Sequence, residues 1–190
     1  MPSSEESQSA EGLLTGDHDA LDKLLSALLA VLDEGDAAKA FARLDLFWAR
    51  LAMHIRAEHL HLFPGILGAL PGDSGKRGDK SLSTAEAREA IAQLHLDHDF
   101  FMHELAGAVK LMRDCRTTGE DDRTIEIESV RQTIVTVRSR LEAHNKLEEE
   151  LVYRLPAKLF GPEAQNALSV EIRDELKNLP PRFRDEAGDD

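Results

Sequence analysis

Apolar residues recur along this chain at alternating steps of three and four in four long stretches. The first, roughly 13–34, carries Leu14, His18, Leu21, Leu25, Leu28 and Leu32 on one stripe. The second, roughly 37–69, carries Leu44, Phe47, Leu51, His54, Glu58 and His61. The third, roughly 83–116, carries Ile91, Leu94, His98, Phe101, Leu105, Ala108 and Met112. The fourth runs to about 158 through Ile127, Val130, Ile134, Val137, Leu141, His144, Glu148, Leu151 and Leu155. This period belongs to amphipathic helices that bury one stripe each. Between the second and third stretches lies PGDSGKRGDKS, from Pro71 to Ser81, the plainest loop in the chain. Short turns elsewhere favour antiparallel neighbours. The expected fold is all-α, an up-down-up-down antiparallel four-helix bundle over residues 12–158. Residues 1–11 read as a disordered tail, and 159–190 as a short fifth helix, about 163–178, followed by an acidic tail.

The stripes are interrupted where leucine-like residues would be expected, by His18, His54, Glu58, His98, His144 and Glu148. His54 and Glu58 are four apart, as are His144 and Glu148, so each pair lies within about 40° around its helix and points inward together. Counting from the turns at about 1.5 Å per residue puts the four histidines on one level to within about one helical turn. Four imidazoles and two carboxylates inside one core are costly unless paired. Bound metal ions remove that cost, and this nitrogen–oxygen set suits iron, manganese or zinc.

The halves of the chain resemble each other. Asp17-His18-Asp19 recurs as Asp97-His98-Asp99, and His54–Glu58 recurs as His144–Glu148. A duplicated helical hairpin follows. Asp17, Asp19, Asp97 and Asp99 flank ligands and are candidates to orient an imidazole, although the helix N-terminal dipole offers a simpler account of Asp17. His61, on the stripe seven residues after His54, is a candidate additional ligand or lining residue. His59 and His103 fall about 140° from a ligand and are expected on the outer surface.

Composition narrows the function. The chain of 190 residues is 42% hydrophobic but only 5% aromatic, and its formal net charge is -13. That charge argues against nucleic acid and anionic membranes as partners. No apolar run approaches the roughly 20 residues that span a bilayer, and the polar, acidic N-terminus lacks the apolar segment of a signal peptide. A lone cysteine, Cys115, gives no internal disulfide. A cytoplasmic location is the expectation.

Four segments together carry a family resemblance: D-H-D-A-L (17–21), H-I-R-A-E-H-L-H-L-F-P (54–64), L-D-H-D-F (96–100) and H-N-K-L-E-E-E-L (144–151). With them the chain resembles the hemerythrin family, in its HHE cation-binding branch, over residues 12–158. The resemblance implies a four-helix bundle holding two non-haem iron ions bridged by two carboxylates and an oxo or hydroxo group. Its members bind O₂ reversibly, sense oxygen or iron, or act in oxidative and nitrosative stress. Matched by position, His18, His54, Glu58, His98, His144 and a following glutamate are the ligands. We expect His18 and His54 on one ion, His98 and His144 on the other, and Glu58 and Glu148 as bridges.

Two departures stand out. The oxygen carriers place a fifth histidine four residues before the third-helix ligand, where this chain has Leu94; His95 is one residue away and is a candidate to swing in. The carriers also use a carboxylate five residues after the fourth-helix histidine, here Glu149, whereas the internal repeat favours Glu148. A four-His, two-Glu set is similar to the branch linked to iron handling and iron–sulfur repair, whose members also carry a cysteine-bearing N-terminal module not found in these residues. The expected function is therefore binding or sensing of O₂ or a related small species, NO or peroxide. The alternatives are a di-iron enzyme of oxidative or nitrosative stress, such as a peroxidase or NO reductase, or an iron-responsive regulatory or storage module. The expected cofactor is a pair of iron ions, with zinc or manganese as substitutes.

Overall fold

A computed structural model describes residues 8–71, 83–114 and 120–183, with side chains from 124 onward in the last segment. Of the disordered tail expected at 1–11, residues 1–7 lie outside them, as do most of the Pro71–Ser81 loop, Cys115 and the turn near 117. Among the described residues all regular structure is helical: α1 Ala10–Glu34, α2 Ala37–Ala57, α3 Phe63–Ala69, α4 Thr84–Asp114, α5 Glu120–Leu147, α6 Leu155–Leu159 and α7 Pro162–Leu176. Helix α1 begins at Ala10, four residues before Leu14, so Ala10 and Glu11, expected in the disordered tail, are helical, and Ala10 is buried. Ser9 caps it by accepting from the Gly12 N–H at 3.1 Å, which satisfies a donor the helix cannot. It ends at Gly35, whose φ of 75° is left-handed and whose N–H donates to the Leu32 carbonyl. Asp36 then caps α2 by accepting from the Lys39 N–H at 3.0 Å. A capping box starts α4: the Ser83 N–H donates to Glu86, and the Glu86 N–H donates back to the Ser83 hydroxyl.

Helix α1 packs on α2 and α5, and α4 packs on α2 and α5, so the four long helices close a ring. Their stripes meet as predicted. Leu21, Leu25, Leu28, Leu32, Leu44, Phe47, Leu51, Phe101, Leu105, Met112, Val130, Ile134 and Val137 form one core at the end of the ring that holds the α1–α2 turn. Leu14, Leu62, Phe63, Ile66, Ile91, Leu94, Val152 and Tyr153 form a second core at the other end. The six polar stripe residues lie between these two cores. The fifth helix is an integral part of the molecule: α7 lies against α1 and α2 and buries Leu168 and Ile172 in the second core. Beyond it, Leu179 and Phe183 pack on Leu46 and Ala49, and Arg182 grips Asp45 with two hydrogen bonds of 3.0 and 3.1 Å.

The pattern predicts unbroken second and fourth helices. Instead, each passes through a five-residue π turn that begins at the glutamate of its His–Glu pair, at Glu58–Leu62 and Glu148–Val152. The Glu58 carbonyl accepts from the Phe63 N–H, and the Glu148 carbonyl accepts from the Tyr153 N–H at 2.8 Å. Pro64 and Pro156 follow, each in the first turn of a new helical segment, where a missing N–H costs little. Such π turns commonly mark functional positions, and here both sit beside the polar cluster.

Candidate metal centre

The six stripe residues come together in one buried cluster. Glu58 and Glu148 are fully buried, and His18, His54, His98 and His144 are at most 5% exposed. All four imidazoles turn Nε2 inward, in two pairs. His18 Nε2 lies 3.2 Å from His54 Nε2, and His98 Nε2 lies 3.0 Å from His144 Nε2. Each carboxylate reaches both pairs. Glu58 places Oε1 3.6 Å from His54 and Oε2 3.2 Å from His98. Glu148 places Oε2 3.2 Å from His18 and Oε1 3.0 Å from His144. His18, His54 and Glu148 form one group whose ligand atoms converge as a metal ion requires, and His98, His144 and Glu148 form another.

The outward-facing nitrogens are equally organised. His54 Nδ1 donates to Asp17 at 2.9 Å, and Arg50 holds Asp17 from behind at 3.4 Å. His144 Nδ1 lies 3.3 Å from Asp97, which also accepts from Arg140 at 2.6 and 2.9 Å and from Gln93 at 3.0 Å. His18 Nδ1 donates to Glu149 at 2.8 Å, and His98 Nδ1 lies 2.8 Å from His59 Nε2. A carboxylate only accepts, so Asp17, Asp97 and Glu149 hold a proton on Nδ1 of their histidines and leave Nε2 as the nitrogen that takes up either a second proton or a metal ion. This is how metal-binding imidazoles are oriented.

Two expectations are corrected here. Asp17 sits too far inside α1 to serve its N-terminus and instead holds His54. His59 is half-buried between α2 and α4 and holds His98. The candidates for extra ligands lie outside the cluster. His95 packs behind His59, ring centroids 4.3 Å apart, while Leu94 is fully buried in apolar surroundings. His61 turns toward α7, 3.5 Å from Glu171. Glu149 contacts the far side of His18, and Glu148 occupies the cluster. His103 is exposed, as expected.

One member was not anticipated. The hydroxyl of Tyr153, itself buried, lies 2.7 Å from Glu58 Oε1, 3.1 Å from Glu148 Oε2, 3.1 Å from His18 Nε2 and 3.3 Å from His54 Nε2. The two π turns suggest its origin, since Tyr153 stands five residues after Glu148 as Phe63 stands five after Glu58.

The electrostatics without a cation are strained. Burial works to raise both glutamates, but the His54 and His98 imidazoles hold Glu58 well below the usual carboxylate range. Burial and the Glu58 charge together push Glu148 up to about 7. Burial disfavours a charge on His54, yet Glu58 and Asp17 outweigh it and hold that imidazole protonated well above its ordinary range. Burial, with His98 and His95 as neighbours, pushes His59 down to about 4. Two ring nitrogens about 3 Å apart need a proton or a metal ion between them. Glu58 Oε2 and Glu148 Oε1 are buried and accept no hydrogen bond, a costly condition for a carboxylate oxygen. Both oxygens face imidazole nitrogens, His98 Nε2 at 3.2 Å and His144 Nε2 at 3.0 Å, so the donor set fits metal ions.

A model of the hemerythrin HHE cation-binding domain matches residues 10–155. The chain therefore belongs to the hemerythrin HHE cation-binding domain family, and its core carries histidine and glutamate groups able to hold metal. Comparison with curated proteins and with solved structures gave no match. Among the described residues no helix is long and apolar enough to cross a membrane.

Proposed function

We propose that the cluster is a carboxylate-bridged di-iron centre, set in an up-down-up-down bundle, through which the protein binds or senses O₂ or a related small species, NO or peroxide. The observation that carries this reading is the reach of the two glutamates. Each places one oxygen beside the His18–His54 pair and the other beside the His98–His144 pair, which is what bridging two cations demands. His18, His54, His98, His144, Glu58 and Glu148 are the residues that would hold them. Imidazole and carboxylate together suit iron, with manganese and zinc as substitutes; iron supplies redox chemistry and affinity for diatomic ligands.

The chain's own residues do the rest. Asp17, Asp97 and Glu149 keep the Nε2 lone pairs aimed inward. Phe63 lies parallel to His98, ring centroids 6.0 Å apart, and Phe101 meets His144 edge-on at 5.2 Å. These rings keep water from the second pair.

Buried Leu94 stands where the carriers have a fifth histidine, and His95 is engaged by His59. This favours a second reading beside simple reversible binding, an enzyme of oxidative or nitrosative stress or of iron handling. One experiment addresses both. Protein loaded anaerobically with ferrous iron is assayed for metal content, then exposed to O₂, NO and peroxide while its spectrum is recorded. Two irons and a reversible, gas-dependent spectrum support binding or sensing. Catalytic consumption of NO or peroxide supports the enzyme. One zinc and no gas-dependent spectrum would overturn both.

A further inference from the structure

The cluster is built almost twice over. Asp17 holds the α2 histidine and Asp97 the α5 histidine. The residue after each bridging glutamate, His59 or Glu149, holds the α4 or α1 histidine. Each glutamate then begins a π turn, and the residue that follows the turn is aromatic and lies along the imidazole of a neighbouring helix. Phe63 is parallel to His98 within 10°, and Tyr153 is stacked on His18 within 30°, centroids 5.5 Å apart. The halves differ at that position by one atom, the phenol oxygen. In the Phe63 half nothing equivalent points into the cluster.

That oxygen has four polar neighbours, at 2.7, 3.1, 3.1 and 3.3 Å. A phenol has one proton to give, so hydrogen bonding alone uses a single one of the four contacts as donor. Two donors at right angles around an ion about 2.1 Å away lie roughly 3 Å from each other. The Tyr153 hydroxyl has about that spacing from His18 Nε2, His54 Nε2, Glu58 Oε1 and Glu148 Oε2, and His18 Nε2 has it from His54 Nε2 and Glu148 Oε2. We infer that Tyr153 is a ligand, binding as phenolate the cation held by His18 and His54, so that the two cation positions are inequivalent. The His18–His54 position then has two nitrogens and three oxygens, and the His98–His144 position has two nitrogens and two oxygens. The small molecule would bind at the latter, which has the fewer protein donors. Ligation breaks the phenol O–H bond and releases that proton to solvent.

A phenol ordinarily keeps its proton until about pH 10, so ionisation of Tyr153 near neutrality would report a cation at its oxygen. The chain contains one tyrosine, so any tyrosinate signal assigns itself.

The inference rests on the di-metal reading above, and the test separates the two. Full-length protein is loaded with ferrous iron, oxidised, assayed for iron and examined by visible absorption and resonance Raman. Two irons with a phenolate-to-ferric charge-transfer band carrying tyrosinate ring modes are expected. Tyr153→Phe should keep two irons and full helicity while losing the band and those modes. Zinc loading of the wild type at neutral pH should give the ultraviolet difference spectrum of phenol ionisation, which decides the matter even if the variant fails to fold. Two bound metals without tyrosinate modes or ionisation, or a band that survives in Tyr153→Phe, would overturn Tyr153 ligation alone. Failure to bind any metal would overturn the centre itself, and this inference with it.

Discussion

Replacing Glu148 with glutamine should act in opposite directions on the metal-free and metal-loaded protein. Without metal, Glu148 is fully buried beside a second carboxylate, and burial followed by the Glu58 charge raises it to about 7 from an ordinary 4.5. The folded state then keeps a proton that the unfolded chain gives up. Stability from this group is complete below about pH 4.5 and is lost as pH rises through 7. The whole difference corresponds to about 3 kcal/mol. Between pH 5.5 and 8.5 the part lost is about 2 kcal/mol by the same relation. Glutamine cannot ionise, so Glu148→Gln escapes this loss. In a chain of this length about 2 kcal/mol moves the midpoint by roughly 4–8 °C. The assay is thermal unfolding of chelator-treated wild type and variant at both pH values. The variant should gain that margin on the wild type at the higher pH. Loaded with iron the order reverses, because the variant lacks one anionic bridge. A stability difference independent of pH, or a variant that stays ahead when loaded, would refute the argument.

Removing metal from the loaded wild type should lower its midpoint. An ion present at about a thousand times its dissociation constant contributes about 4 kcal/mol per site, so calorimetry before and after chelation should show a fall of about 8–16 °C for each ion lost. Asp97→Asn should weaken metal binding by about 10–100-fold in a chelator competition, because Asp97 fixes the His144 tautomer and is itself gripped by Arg140; unchanged affinity would deny it that role. His59→Ala should weaken binding through His98, whereas His61→Ala should leave affinity and spectra unaltered, since His61 faces Glu171 rather than the cluster.

The six inward residues were legible because they obey the period of an ordinary α-helix up to Glu58 and Glu148, and every turn before those positions is regular. What the period concealed begins at the π turns. On an α-helix the fifth residue after Glu148 lies about 140° away from it, which would send Tyr153 off the stripe. The π turn takes up one extra residue, about 100° of rotation, and returns Tyr153 nearly above Glu148. A period of three and four cannot announce its own interruption, so Tyr153 was invisible to it.

His59 and Asp17 were misread for a different reason. Positions about 100–140° from a ligand are on the outer surface only if the helix is alone. In a closed ring of helices they face the neighbouring helix, where the outward nitrogen of its imidazole is waiting. Asp17 precedes the α1 ligand and serves α2; Asp97 precedes the α4 ligand and serves α5. The repeated Asp-His-Asp segments carried that information, and it became readable once each aspartate was assigned to the next helix rather than its own. The same repeat also exposes where the halves diverge, at His59 against Glu149 and Phe63 against Tyr153. Both divergences place the anionic partner on the His18–His54 side, a carboxylate behind His18 and a phenol oxygen in front of it. With two cations held as proposed, the one there would be the better neutralised, which would leave its neighbour at His98 and His144 the more electrophilic and the more open to an incoming small ligand.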